Sequence, residues 1–288
     1  MSIGLSRRTV LAMIGSIPLA VGAKADERLV RVGLTAVVVR ENLGFFDRWR
    51  RYLELRLDRP VRFVQRRSYR EVMELLATGE IDFAWICGYP YVRRRDPEYL
   101  DLLAIPVFDG EPRYRSYVIV HRDSPYRSVG DLGGKVFAYS DPDSNSGYLV
   151  PRSMLTGLGI QPDAFFRLTF FTYNHAETVE AVARRVADGG AVDSYVWEYL
   201  KRNRQVPVDQ TKVIGQSDEF GFPPLVARRS GDAELRRRMQ NAVLGMREDV
   251  DGRALLAELA LDGFVEPDDS LYDGIRNLEA RMSGGRLR

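Results

Sequence analysis

The chain carries a unit of helix, turn and strand twice, and that repetition restricts its fold more than any other feature. Shifted by 106 positions, Ser68–Tyr89 (SYREVMELLATGEIDFAWICGY) lies without a gap on Asn174–Tyr195 (NHAETVEAVARRVADGGAVDSY). Glu71 meets Glu177, Glu74 meets Glu180, Ala77 meets Ala183, Asp82 meets Asp188 and Tyr89 meets Tyr195. In each copy a helical apolar period gives way to a turn and then to a short apolar run, the pattern of a buried strand. Two such copies predict two similar α/β lobes.

The flanking sequence extends both copies. LVRVGLT (Leu29–Thr35), VRFVQRR and IDFAWICG read as strands, with the helical patterns NLGFFDRWRRYLELRL and REVMELLATG between them. The alternation restarts with YRSYVIVHR and runs through KVFAYS, GYLVPRSMLTGLG, FRLTFFTY and AETVEAVARRVA to GAVDSYVW. Strands alternating with helices imply parallel sheets covered on both faces. KVIGQSDEFGFPPLVARRS, bent at Pro223–Pro224, suits a return crossing to the first lobe, and Asp232, Asp251 and Asp269 are placed to cap the helices of the tail. The expected lobes are therefore residues 26–113 with 219–288, and residues 114–218, joined by two crossings that permit hinge closure on a small ligand.

Composition narrows the function. Forty-two basic against 40 acidic residues leave no electrostatic footprint for nucleic acid. One cysteine, Cys87, excludes an internal disulfide, and two histidines argue against a histidine-built metal site. At the start, SRRTVL, the apolar run Val10–Val21 and AKA follow the order of an export signal, and the pair Arg7–Arg8 matches its twin-arginine class. Cleavage after residue 25 would remove Arg7, Arg8 and Lys24 and take the formal charge from +2 to −1. No cysteine follows the apolar run to carry a lipid anchor, so the expected location is free in the periplasm.

The stretch DPDSNSGYLVP (Asp141–Pro151) sets small hydroxyl and amide side chains before an apolar run. It reads as a helix starting near Gly147, whose unpaired N–H groups and dipole suit an anion. In an open α/β sheet ligands sit beyond the carboxyl ends of the strands. The repeat places Tyr69 and His175 equivalently, each opening a helix after a strand, and likewise Cys87–Gly88–Tyr89 and Asp193–Ser194–Tyr195 at strand ends. The first-lobe counterpart of the serine turn, Ala36–Val39, offers almost no hydrogen-bonding side chains.

With DPDSNSGYLVP, NHAETVEAV, IDFAWICG and AVDSYVWEYL, the chain resembles the periplasmic phosphonate-, phosphite- and phosphate-binding proteins of ABC transporters, from about Leu29 to Phe264. The resemblance implies a type II binding-protein fold, two α/β lobes on a two-strand hinge, a small oxyanion in the cleft and no cofactor. It also implies a partner in the membrane, an ABC permease or a sensor kinase, for a monomeric protein. By position it implies that Ser144, Asn145 and Ser146 hold the oxyanion while His175 and Tyr69 close over it; Asn145 stands where relatives often have threonine.

Further candidates around the cleft are Cys87, Tyr89, Asp193 and Tyr195. A carboxylate beside an anion repels it unless it meets a proton or a cation. Asp193 would therefore favour a protonated oxyanion or an aminophosphonate over sulfate, or simply cap the next helix. Cys87 is either a small buried side chain or, as in some relatives, an arsenite ligand. Tyr89 and Tyr195 are ligand contacts or packing aromatics. Ser146, His175 and Asp193 are also the residue types of a hydrolase triad. No G-x-S-x-G elbow accompanies them, so a binding protein, not an enzyme, is expected.

Overall fold

A computed structural model of the protein describes residues 29–35, 43–93, 99–204 and 207–284. The expected export signal of residues 1–25 and the Ala36–Val39 segment lie outside the described residues. In chain order the first elements are β1 (Val30–Leu34), α1 (Leu43–Leu57), β2 (Val61–Gln65), α2 (Tyr69–Thr78), β3 (Phe83–Trp85), α3 (Gly88–Arg93), β4 (Leu100–Val107) and β5 (Arg113–Tyr114). Then come β6 (Ser116–His121), β7 (Val136–Tyr139), α4 (Val150–Gly157), α5 (Pro162–Phe165), β8 (Leu168–Phe171), α6 (His175–Ala183), β9 (Gly189–Asp193), α7 (Ser194–Arg202) and β10 (Thr211–Gln216). The chain ends with β11 (Phe220–Gly221), β12 (Leu225–Arg228), α8 (Ala233–Leu244), α9 (Val250–Leu259), β13 (Gly263–Val265) and α10 (Asp273–Gly284).

Two main sheets result. One has six strands in the order β13-β4-β12-β3-β1-β2, the other five in the order β10-β6-β9-β7-β8. Between them β5 and β11 pair antiparallel, Tyr114 opposite Phe220 and Arg113 opposite Gly221, as a two-strand hinge. This is the mixed α/β architecture of a type II binding protein.

The expected all-parallel sheets are mixed instead. β1 runs parallel to β2 and β3, and β7 to β8 and β9. However, β12 is antiparallel to β3 and β4, and β6 is antiparallel to β9 and β10. The cause is the double crossing. A strand that returns through the hinge re-enters its sheet from the opposite end, and a right-handed strand–helix–strand unit cannot supply that direction.

Each helix start has a local cause. Ser68 caps α2, its Oγ accepting from Glu71 N, and Asn174 caps α6, its Oδ1 accepting from Ala176 N at 2.7 Å. The caps sit at equivalent places in the repeat, so Tyr69 and His175 each occupy the first helical position. Asp232 caps α8, but Asp249 rather than Asp251 caps α9, and Asp268 rather than Asp269 caps the short turn that follows β13. In both corrected places two aspartates lie close together, and the cap is the one whose backbone is extended and whose carboxylate reaches N–H groups two or three residues ahead.

The core of the six-stranded half is aromatic: Trp49, Phe63 and Trp85 pack ring against ring between α1 and the sheet. Among the described residues no helix is long and apolar enough to cross a membrane.

Candidate functional site

The serine turn is built from a glycine outward. A Cβ on Gly147 would stand 2.5 Å from Ser140 Cβ and 2.7 Å from its Oγ, so only glycine lets the turn lie against the end of β7. Ser140 N donates to Gly147 O at 3.2 Å, and Ser140 Oγ in turn donates to Ala191 O on β9 at 2.8 Å. From β6, Ser116 Oγ donates to Ser146 O at 2.6 Å. The turn is thus seated on three strands.

Its helix starts earlier and wider than the sequence suggests. Ser144 is the cap, its Oγ accepting from Gly147 N at 2.9 Å, and Leu149 N reaches back to Ser144 O at 3.0 Å. That spacing makes Asn145–Leu149 a π-helical turn, a form that recurs at functional sites, and α4 takes over only at Val150.

The facing wall comes from the six-stranded half and the hinge. Cys87, between β3 and α3, accepts the Asn145 N–H on Sγ at 3.3 Å. Tyr114, on β5, takes a hydrogen bond from Asn145 Nδ2 at 3.1 Å and lies 4.0 Å from Cys87 Sγ, with Ser146 beside it. Burial raises the phenols of Tyr69 and Tyr114 well above the usual range and lifts the Cys87 thiol to about 11, so all three keep their protons. Tyr69 shares the electrostatic surroundings of Cys87, Asp193 and Tyr114.

His175 is fully buried, and burial lowers its pKa to about 3, so the ring is neutral. Its Nδ1 accepts from Asp193 N at 3.2 Å, which fixes the proton on Nε2. That Nε2–H has no acceptor among the described residues. Tyr69 Oη, Ser146 Oγ and Asn145 Oδ1 likewise lack a partner among the described residues, though each is buried. A buried polar group left unpaired costs about 1–3 kcal/mol, so these groups mark a place where something polar belongs. Three of the four present a proton.

Asp193 closes the arrangement from β9. One of its oxygens accepts from Tyr195 N at 2.8 Å and caps α7, and burial pushes its carboxyl up to about 7. It is a buried acid adjoining this cluster of donors, and among the described residues no arginine or lysine is bonded to it.

The family model described as "ABC transporter, phosphonate, periplasmic substrate-binding protein" matches residues 41–272, most of the chain. The chain belongs to this family. It is accordingly a substrate-binding component of an ABC transporter and not an enzyme. It is 24% identical over 264 residues to the phosphonates-binding periplasmic protein of Escherichia coli, covering 89% of this chain and 77% of that one. To the phosphate-import protein PhnD of Mycolicibacterium smegmatis it is 27% identical over 184 residues, 60% of this chain and 57% of that relative. Among solved structures it is similar to PhnD1 of Prochlorococcus marinus in complex with methylphosphonate. There the TM-score is 0.78 at 18% identity, with 90% of this chain and 99% of that one covered.

For a binding protein the placement of the expected residues is informative. Tyr69, Cys87, Asn145, Ser146, His175 and Asp193 are brought together. Ser144 is fully buried beneath them as the cap of the turn. Two tyrosines go elsewhere. Tyr195 gives its hydroxyl to Leu259 O at 2.8 Å and packs between Phe108 and Phe222. Tyr89 lies in α3 beside Arg93, whose guanidinium sits 5.4 Å from its ring. Tyr195 is a packing aromatic. The hydrolase arrangement is also absent. The Asp193 carboxylate does not hold the imidazole, whose Nδ1 takes the backbone N–H, and Ser146 Oγ and His175 Nε2 are not bonded to each other.

Tyr114 is a candidate site residue that sequence reasoning missed. Its signal was present, an aromatic at a predicted crossing, but the crossings were read only as connections.

Proposed function

We propose that the chain is exported and, in the periplasm, captures a small phosphorus-type oxyanion, whether phosphonate, phosphite or phosphate, for delivery to an ABC permease. One observation carries the reading: Tyr69 Oη, Ser146 Oγ and His175 Nε2–H, all buried and without a partner among the described residues, belong to residues gathered around a π-helical turn and Asp193. Asn145 completes the set on rotating its amide, since Tyr114 can then donate to Oδ1 and leave Nδ2 as a fourth donor. Each charge-assisted hydrogen bond contributes about 1.5–3 kcal/mol before the entropic cost of binding, so a few of them suffice for micromolar affinity without a buried arginine.

Asp193 supplies the selectivity. A carboxyl that titrates near neutrality can share a proton with a protonated oxyanion or accept from an amino group, and sulfate offers neither. We take the six-stranded half, residues 26–113 and 219–288, as one lobe and residues 114–218 as the other, with residues 1–25 as a leader.

A thermal-shift panel of phosphate, phosphite, methylphosphonate, aminoethylphosphonate, sulfate and arsenite tests this. Ligand at 100 times its Kd stabilises a fold by about 2.7 kcal/mol. The expected result is a rise with at least one phosphorus oxyanion and none with sulfate; a response to sulfate alone, or to none of the six, overturns the reading. Substitution of both Arg7 and Arg8 by lysine should leave uncleaved precursor in the cytoplasm.

A further inference from the structure

Two acidic residues of the serine-turn motif, Asp141 and Asp143, are not used by the site described above. Both follow β7 of the five-stranded half, yet both bond to the six-stranded half. Asp141 Oδ2 accepts from Tyr69 N at 3.1 Å, across 72 residues of sequence. Asp143 Oδ1 receives Arg93 Nη1 at 2.7 Å, and its other oxygen lies 3.7 Å from Arg70 Nε. Tyr69, Arg70 and Arg93 stand on α2 and α3, the helices that face the serine turn.

The Asp141 contact is specific in kind. Tyr69 is the first residue of α2, so its N–H has no intrahelical carbonyl to meet. The cap Ser68 is committed to Glu71 N, and the carboxylate from the other half fills the place left over. The same residue presents, at its far end, the buried and unpartnered Tyr69 hydroxyl. We propose that Asp141 and Asp143 latch the two halves together, and that Asp141 positions Tyr69, so that closing the cleft and delivering the Tyr69 hydroxyl to the ligand are one event. The inference rests on the oxyanion reading for its ligand, though not for the latch.

Burial lifts the Asp141 carboxyl to about 6, against the lowering effect of the Tyr69 and Asp143 N–H groups. Its charge is therefore a cost of closure, and what holds α2 is the acceptor atom. Asp143, whose arginines are partly exposed, adds an ion pair of the kind that changes an equilibrium by up to about fivefold. Asp141 and Asp143 are thus positioning residues acting through α2 and α3.

Amide hydrogen exchange of Tyr69 in the full chain, measured by NMR with and without methylphosphonate, tests the latch whichever oxyanion is the true ligand. Slow exchange in either state, made at least tenfold faster by Asp141→Ala and restored by Asp141→Asn, supports it. Fast exchange in both states, or a rate that Asp141→Ala leaves unchanged, overturns it. The second measurement is a double-mutant cycle of Asp141→Ala with Tyr69→Phe, read as affinity for the oxyanion that gives the largest thermal shift. Losses that overlap support positioning, whereas losses that multiply refute it. If no oxyanion binds the unaltered chain, the proposed function falls and the exchange data still decide the latch.

Discussion

Replacing Asp193 with asparagine should stabilise the ligand-free protein at alkaline pH and not at acid pH. The carboxyl is fully buried beside Ser116 on the neighbouring strand, with N–H groups of Tyr195 and Val196 for company and burial as the dominant influence. Its pKa rises from the ordinary 3.8 to about 7. A carboxyl raised in the folded state contributes stability below its unfolded pKa and loses it as pH climbs through the folded one. Three units correspond to about 4 kcal/mol, lost between about pH 4 and pH 7. Asparagine keeps an oxygen for Tyr195 N and gives up one weaker backbone contact at about 1 kcal/mol, leaving a gain of about 3 kcal/mol at pH 8.5. In a chain of this length that is about 6 °C in Tm. Calorimetry at pH 4, 6 and 8.5 without ligand should show the gap between variant and parent opening as pH rises. A gap that stays constant, or that closes at high pH, would refute the burial argument. The same variant should lose discrimination against sulfate.

Three further outcomes follow from the geometry. Of the chain's two histidines, His175 should remain neutral from pH 4 to 8 with its proton on Nε2, visible as an untitrating ring in nitrogen-15 NMR spectra; a midpoint near 6.5 would contradict its burial. Gly147→Ala forces a Cβ to 2.5 Å from Ser140 Cβ and should cost about 1–3 kcal/mol in urea unfolding, together with oxyanion binding. Cys87, with its thiol near 11 and its sulfur turned to Asn145 N, should resist iodoacetamide at pH 8 until denaturant is added, and rapid labelling of the native chain would show that the two halves open widely.

The local elements were legible in the sequence because each is fixed by neighbours along the chain. The apolar runs announce strands, and the repeat places Tyr69 and His175 at matching helix starts. Where two aspartates stood close together, the residue pattern pointed to Asp251 and Asp269, and backbone conformation gave the caps to Asp249 and Asp268 instead. The mixed strand directions were hidden because direction depends on the route through the hinge rather than on residue pattern.

The sequence by itself determined which groups could bind an anion: small donors before an apolar helix, a histidine, an acid and a tyrosine at strand ends. Only the tertiary structure decided which of them are left available, because a donor is open to a ligand when folding removes its alternatives. Tyr195 found Leu259 O and was spent on packing, while Tyr69 Oη, Ser146 Oγ and His175 Nε2 were buried without a partner among the described residues. Tyr114 joined them from the hinge. That distinction lies in contacts made across tens of residues, where no local pattern reaches.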